Sequence, residues 1–202
     1  MARLHIVRHG QTVWNLEHRM QGRENSPLTE KGKEQANRAC QKLDKFSFSA
    51  AYTSSSGRAV ETAEIILKNR DISAIHDTSL MEIALGEYEG RLVDDINTES
   101  PGVMEDFFER PEMFVARGGE SFEQLIARAW QSLNSIAEKH PGEDVLVVTH
   151  CAFIKAFLSH IQGLSLREFW HPPMVENCSH TIVVKNPEGN FEIEQYAGLL
   201  DW

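Results

Sequence analysis

The segment LHIVRHG, residues 4–10, decides the fold, because its mainly apolar run stops at an arginine, a histidine and a glycine. Apolar and β-branched side chains over residues 3–7 predict a buried strand. Arg8 and His9 then leave that strand together at its carboxyl end. The segment has two interpretations: a strand that leaves the core through an ordinary turn, or a strand that carries a charged pair to a working site.

Two later segments repeat this arrangement. A short strand is predicted around residues 50–52, and the polar loop after it carries Ser54 and Arg58. The run DVLVVTH, residues 144–150, is typical of a parallel strand buried on both faces, and it ends at His150. Each of the three strands therefore places polar side chains at its carboxyl end.

Helical patterns alternate with these strands. One helix is predicted over residues 30–43 with Thr29 as its N-cap, and another follows the polar loop. A third runs from Phe122 to about His140, where Ser121 and Gln124 match a capping box. The alternation predicts an α/β fold of three layers, in which helices cover both faces of a mostly parallel central sheet. Ligands bind beyond the carboxyl ends of the strands in such sheets.

The remaining segments complete one predicted domain, residues 1–202. Residues 72–76 predict a further strand, and the proline-punctuated stretch 91–117 predicts short helices. Two strand-like runs flank the turn residues Pro187–Gly189, which predicts a hairpin at the edge of the sheet.

The charge and the cysteines limit the partners and the compartment. The chain of 202 residues has a formal net charge of −10, so we expect neither nucleic acid nor an anionic membrane as a partner. Any bound anion must then meet a local positive cluster. Cys40, Cys151 and Cys178 lack the spacing of a disulfide framework or a zinc site. Because the apolar run near the N-terminus is also too short for a signal segment or a membrane span, we expect a cytoplasmic protein.

Arg8, Arg58, His9 and His150 form the predicted positive cluster at the strand ends. Two permanent cations and two imidazoles suit the dianion of a phosphate monoester, because the planar fork of arginine binds two phosphate oxygens at once. A histidine nucleophile needs one ring nitrogen unprotonated and the other held by an acceptor. A backbone carbonyl in the tight turn that Gly10 allows commonly serves as that acceptor.

Glu82 would place a negative group beside a site for anions, and such an exception points to an acid–base role. It belongs to a series of motifs: RHG at 8–10, Asn15, SPLTEKG at 26–32, SSSGRAVETA at 54–63, Glu82 with the following GEYEG, and VTH at 148–150. In order and spacing these motifs resemble the histidine phosphatase superfamily, which has the phosphoglycerate-mutase-like fold. Within it the chain most resembles the small bacterial broad-specificity phosphatases, and FWHPP at 169–173 extends the similarity.

The resemblance implies a role for each matching residue. His9 would be the nucleophile, forming a phosphohistidine that water later hydrolyses. Arg8, Arg58 and His150 would hold the phosphoryl oxygens and stabilise the charge that develops during transfer. Glu82 would protonate the leaving oxygen and then accept a proton from the attacking water.

Further residues are expected to line the same pocket. By the resemblance these are Asn15, Gln21 and Gly22. Cys151 stands where many relatives have glycine, so its backbone N–H is still available to phosphate while a thiol projects near the pocket. That thiol has two interpretations: a small packed side chain, or a group that narrows specificity and makes the enzyme sensitive to oxidation.

The stretch 91–117 matches a helical insertion that caps the site in relatives. Phe107, Phe108 and Phe114 are therefore expected to form an apolar wall. Such a wall would select the organic part of the substrate loosely, by shape.

The implied activity is that of a metal-independent phosphoric monoester hydrolase acting on a small phosphorylated metabolite. No metal and no cofactor is expected, since two arginines and a histidine can supply the charge of a magnesium ion. Three alternatives stay open: a narrow phosphatase for phosphoserine or α-ribazole phosphate, a cofactor-dependent phosphoglycerate mutase, and a module that only binds phosphorylated ligands. The mutase is disfavoured, because those enzymes carry ERHYG where this chain has EIALG at 82–86. A homodimer through an edge strand also stays open.

Overall fold

A central six-stranded sheet organises the part of the chain that the computed structural model describes, residues 1–171 and 173–198. Its strands are Ala2–Arg8 (β1), Ala50–Ser54 (β2), Ala74–Asp77 (β3), Asp144–Thr149 (β4), His180–Lys185 (β5) and Phe191–Gly198 (β6). The strand order is β3-β2-β4-β1-β5-β6. The first four of these pair in parallel, whereas β5 runs antiparallel to β1 and β6 antiparallel to β5. The predicted mostly parallel sheet with an edge hairpin is confirmed.

Helices follow most of the strands. They are Val13–Leu16 (α1), Glu30–Leu43 (α2), Gly57–Leu67 (α3), Val93–Glu99 (α4), Val103–Glu109 (α5), Phe122–Lys139 (α6) and Cys151–Gln162 (α7). The Thr29 hydroxyl caps α2 by accepting from the N–H of Gly32, and Ser121 and Gln124 form the predicted capping box of α6. The strand predicted at 72–76 begins two residues later, at Ala74.

Side chains alternate across the sheet and divide the core in two. Leu4 and Ile6 of β1 pack into one cluster with α6 and α7, whereas Val7 packs into the other with α2 and α3. All three side chains are fully buried. The helices therefore cover both faces, which confirms the three-layer architecture, and this packing fixes β1 at the centre of the sheet.

The predicted domain boundaries extend beyond the described residues, since Pro172 and residues 199–202 lie outside them. The stretch 91–117 contains α4, α5 and a short 3-10 turn, Pro111–Met113, as predicted. Its assignment as a capping insertion in a single domain stays a prediction. No helix within residues 1–171 and 173–198 combines the length and the apolar character needed to cross a membrane.

Candidate active site

A cavity of about 210 Å³ lies at the carboxyl ends of the parallel strands. Eight of the nine predicted site residues line it: Arg8, His9, Asn15, Gln21, Gly22, Arg58, Glu82 and Cys151. The ninth, His150, is fully buried beside the cavity, and its ring centroid lies 5.2 Å from that of His9. The fold therefore brings together residues that are up to 143 positions apart in the sequence.

His9 follows the last residue of β1, and its ring is fixed from both sides. Its Nδ1 lies 2.8 Å from the carbonyl oxygen of Gly10, and its Nε2 lies 3.3 Å from Nε of Arg58. Burial, reinforced by the positive charges of Arg58 and Arg8, holds the pKa of His9 well below its usual value. The neutral ring donates Nδ1–H to Gly10, so Nε2 is unprotonated and accepts the hydrogen bond from Nε–H of Arg58 at the lining of the cavity. The predicted contact between one ring nitrogen and a backbone carbonyl in the turn is present, and the role of His9 as nucleophile stays a prediction.

The close turn after β1 depends on Gly10. A Cβ at this position would lie 2.5 Å from the carbonyl oxygen of Gly32 at the start of α2. Glycine therefore allows the chain after His9 to pass directly against that helix.

Arg58 lies in the first turn of α3 and is 1% exposed. Besides the contact to His9, its guanidinium donates to the carbonyl oxygens of Gly22 and Glu24. Burial is the main reason why the pKa of Arg58 falls to about 10. The guanidinium is thus anchored by backbone, and its remaining N–H groups are the ones that can meet a phosphoryl oxygen.

Arg8 and His150 each present a buried nitrogen to this region. Nη1 of Arg8 donates to the carbonyl of Val175 over 2.7 Å, but its Nε has no partner within the described part of the chain. The same holds for Nδ1 of His150, whose Nε2 lies 2.7 Å from the hydroxyl of Ser54. Unpartnered buried nitrogens are costly, and beside an anion pocket they are natural donors to a bound oxyanion.

Glu82 follows β3 by five residues, and its carboxylate lies at the amino end of α7. Its oxygens accept hydrogen bonds from the backbone N–H groups of Ala152, at 3.1 Å, and Phe153, at 3.0 Å. These contacts hold the carboxylate at the amino end of α7, where Glu82 lines the cavity.

Three further predicted residues line the cavity: Asn15 lies in α1, and Gln21 and Gly22 belong to the loop after it. The side chain of Asn15 caps α1 by accepting through Oδ1 from Thr12, so its amide nitrogen is the group that can donate to a ligand. Gly22 has a φ of +51°, and a Cβ there would lie 2.4 Å from Oε1 of Glu89. Gln21 lines the cavity between them.

Cys151 lines the cavity with a thiol of raised pKa. Burial is the main cause, and it outweighs the nearby positive charge of Arg8. A thiol that stays protonated is a poor nucleophile and is slow to oxidise, which supports the interpretation as a small packed side chain.

The aromatic wall differs in part from the prediction. Phe107 and Phe108 line the cavity together with Trp170. Phe114 does not: it is buried in the core, where its ring packs edge-on against Phe107 at 5.0 Å. The prediction that Phe114 forms part of the cavity wall was wrong, because the turn after α5 directs this ring into the core behind Phe107.

The position of Arg19 in the site and the contact of Ser54 with His150 were not predicted from the sequence. Arg19 adds a third arginine to the lining, where it also pairs with Glu17 at 2.6 Å. Ser54 contacts His150 from the end of β2. A basic residue two positions before Gln21, in an acidic chain, was the available signal for Arg19. No local signal indicated the pairing of Ser54, because its partner lies 96 residues away.

Metal-ligating side chains are not grouped in this region. In the residues that the structure describes, three or more histidine, cysteine, aspartate or glutamate side chains nowhere converge in an arrangement that could hold a metal ion. The positive charge at the cavity comes from arginine side chains.

Comparisons with known proteins agree with this geometry. The family model of the histidine phosphatase superfamily, branch 1, matches residues 4–197. A probable phosphoglycerate mutase GpmB of Cronobacter sakazakii is 34% identical over 164 residues, covering 81% of this chain and 76% of that protein. Bacillus stearothermophilus YhfR superposes with a TM-score of 0.96, at 37% identity and 100% coverage of both chains. The mycobacterial glucosyl-3-phosphoglycerate phosphatase Rv2419c, solved with VO3, superposes with a TM-score of 0.88 at 26% identity, covering 97% of this chain and 98% of that one.

The match to the family model spans almost the whole chain, and it includes every residue of the predicted site. The chain therefore belongs to the histidine phosphatase superfamily, as its sequence predicts, and its likeness to the mycobacterial phosphatase supports the class of phosphoric monoester hydrolase.

Proposed function

We propose that this chain is a metal-independent phosphomonoesterase that hydrolyses small phosphorylated metabolites through a phosphohistidine on His9. The observation that carries the proposal is the fixed, neutral ring of His9, with Nδ1 bound to the carbonyl of Gly10 and the unprotonated Nε2 held against Nε–H of Arg58 in an arginine-lined cavity. This is the arrangement that a histidine nucleophile requires.

In the first step Nε2 of His9 gives up the hydrogen bond from Arg58 and forms a bond to phosphorus, while the bond from phosphorus to the ester oxygen breaks. Glu82 gives a proton to the departing alcohol, which leaves with the bonding electron pair. Arg8, Arg58 and His150 donate to the three non-bridging oxygens, and these donors are already in place before the substrate arrives.

The second step returns the enzyme to its starting state. A water molecule attacks phosphorus, and the carboxylate of Glu82 takes its proton. The bond from Nε2 to phosphorus then breaks, and inorganic phosphate leaves with the original ring neutral again. The two steps use one carboxyl group as acid and then as base.

Loose substrate selection follows from the outer part of the cavity. Phe107, Phe108 and Trp170 present aromatic surface, whereas the polar groups gather around His9. A wall of this kind favours the organic part by shape and apolar contact. We therefore propose a small phosphorylated metabolite as the partner and the cytoplasm as the place of action, in keeping with the three unpaired cysteines.

A phosphoglycerate mutase is the second candidate, since curated relatives such as the Cronobacter protein carry that name. The sequence EIALG at 82–86 in place of the mutase motif ERHYG speaks against it. A narrow phosphatase for phosphoserine or α-ribazole phosphate stays within the same chemistry.

The decisive experiment is a screen for phosphate release from phosphorylated metabolites, including 3-phosphoglycerate, phosphoserine and α-ribazole phosphate, with and without EDTA. We expect release from several substrates that EDTA leaves unchanged. Loss of activity in EDTA would overturn metal independence, and conversion of 3-phosphoglycerate to its isomer without phosphate release would favour the mutase. Vanadate binding without hydrolysis of any ester would favour a module that only binds phosphorylated ligands.

A further inference from the structure

Arg128, on α6 outside the cavity, holds the loop that carries Glu82. Its Nη1 donates to the carbonyl oxygens of Ser79, at 2.8 Å, and Met81, at 2.7 Å. Its Nη2 donates to the carbonyl oxygen of Glu82 at 3.2 Å. Three carbonyls of the segment 79–82 thus converge on the guanidinium of Arg128, whose side chain is 18% exposed.

Glu120 fixes Arg128 in turn. Its carboxylate accepts from Nε at 2.8 Å and from Nη2 at 2.7 Å, the paired geometry in which arginine and carboxylate bind most strongly. All five N–H groups of Arg128 are therefore used. The backbone N–H of Glu120 also donates to the carbonyl of Ala84 at 2.8 Å, so the pair holds the loop on both sides of Glu82.

The loop needs such support because it has no regular structure of its own. Between the 3-10 turn Thr78–Leu80 and the 3-10 turn Gly86–Tyr88 the backbone pairs with no strand. Of the four carbonyls in the segment 79–82, the one that Arg128 does not contact is that of Leu80, which accepts from the hydroxyl of Thr149 at 2.7 Å. Side chains thus replace the ladder that would otherwise fix this segment.

We propose that Arg128 and Glu120 are positioning residues for the acid–base step, which they serve by holding the backbone of Glu82 so that its carboxylate stays at the amino end of α7. This inference rests on the proposed role of Glu82. The guanidinium of Arg128 also lies 5.5 Å from the ring of Phe153, and the backbone N–H of Phe153 donates to the Glu82 carboxylate. Arg128 therefore contacts both the backbone of Glu82 and a residue that binds its carboxylate.

The dependence of kcat/KM on the leaving group separates positioning from mere stability. A phenolate with electron-withdrawing substituents leaves without a proton, whereas an alkoxide needs one from Glu82. For Arg128→Lys, which keeps the charge but cannot reach five acceptors, we expect kcat/KM to fall at least about 10-fold with alkyl phosphates and less than about 3-fold with 4-nitrophenyl phosphate. Glu120→Gln should show the same selectivity more weakly.

Two controls make the experiment specific. Arg3→Lys disturbs a surface arginine that pairs with Glu194 at 3.1 Å, at the opposite end of β1 from the cavity. This variant should leave kcat/KM unchanged for both substrates. The double variant Glu82→Gln with Arg128→Lys should lose no more than Glu82→Gln alone, because the arginine acts through that carboxylate.

The outcomes distinguish this inference from the proposed function. Equal losses with both substrates in Arg128→Lys and Glu120→Gln, or additive losses in the double variant, would overturn the positioning role. A Glu82→Gln variant without leaving-group dependence would instead overturn the acid–base role of Glu82 itself. If Arg128→Lys does not fold, Glu120→Gln and its double variant with Glu82→Gln decide the question by the same two criteria.

Discussion

Nε2 of His9 lies 3.3 Å from Nε of Arg58, and both side chains are almost completely buried. The contact joins the end of β1 to the start of α3, and it keeps the unprotonated nitrogen of His9 beside a fixed positive charge. Burial and that charge both lower the pKa of His9, so the ring is neutral over the physiological range, as the proposed nucleophile must be.

Replacing Arg58 by lysine should reduce kcat/KM by about 10²–10³-fold, the range found when one preorganised donor to a developing charge is lost. A lysine cannot contact Gly22, Glu24 and His9 together. Arg70→Lys is the matched control, because Arg70 also donates to two backbone carbonyls, those of Leu43 and Phe46. A rate for Arg58→Lys within about 3-fold of the native enzyme would contradict this role.

Ser54 should set the tautomer of His150. Burial holds the pKa of His150 well below its usual value, so the ring can donate Nδ1–H to phosphate only if Nε2 accepts from the Ser54 hydroxyl. Ser54→Ala should weaken vanadate inhibition and lower kcat/KM about 10-fold, the worth of one good hydrogen bond.

Ser56→Ala serves as the comparison for Ser54. The Ser56 hydroxyl lies farther from Nε2 of His150, at 3.3 Å. A larger effect of Ser56→Ala than of Ser54→Ala on vanadate inhibition would show that the tautomer is set differently.

Phe108 should govern the preference for the organic part of the substrate. It lines the cavity and is 44% exposed, so its removal costs the fold little. Phe108→Ala should raise KM for aryl phosphates several-fold and leave KM for small alkyl phosphates nearly unchanged. Met113→Ala removes an exposed side chain that does not line the cavity, and it should leave KM unchanged for both kinds of substrate. Equal KM values for aryl phosphates before and after Phe108→Ala would exclude a selective wall.

His180 should make the fold sensitive to acid. Its ring lies against that of His5, with 3.0 Å between Nε2 and Nδ1. Burial, with smaller effects of His5 and Lys45, lowers the pKa of His180 to about 3. Between pH 6.5 and about pH 3 the unfolded chain therefore binds a proton at His180 that the folded chain does not bind. The free energy of unfolding has its full contribution from this group above pH 6.5 and loses it as the pH falls toward about 3.

The loss from this one group should reach about 1.4 kcal/mol per pH unit within that window. Urea unfolding at pH 7 and pH 5 measures it. His180→Gln cannot titrate and should flatten the dependence of the free energy of unfolding on pH. The same slope in the native chain and in His180→Gln would contradict the assignment.

Local patterns in the sequence predicted the elements and the polar residues at the strand ends. The helix Glu30–Leu43 and its cap Thr29 lie where the pattern places them, because capping and helical periodicity act over a few residues. The strand end at Arg8 is equally local, since an apolar run stops where burial stops.

The sequence could not predict contacts that depend on the assembled sheet. The binding of Arg128 to the loop before Glu82 joins residues more than 40 positions apart, and nothing near either segment signals it. Phe114 shows the same limit: residue type indicated an aromatic wall, but the direction of the ring depends on its packing against Phe107.

Trapping the covalent intermediate tests the central claim most directly. The enzyme is mixed with excess substrate carrying labelled phosphate, quenched in alkali, in which a phosphohistidine survives, and digested for mass spectrometry. We expect one labelled phosphoryl group per chain on His9, and none in a folded His9→Ala variant, which should also lack turnover. Label on another residue, or undiminished turnover by His9→Ala, would contradict the account.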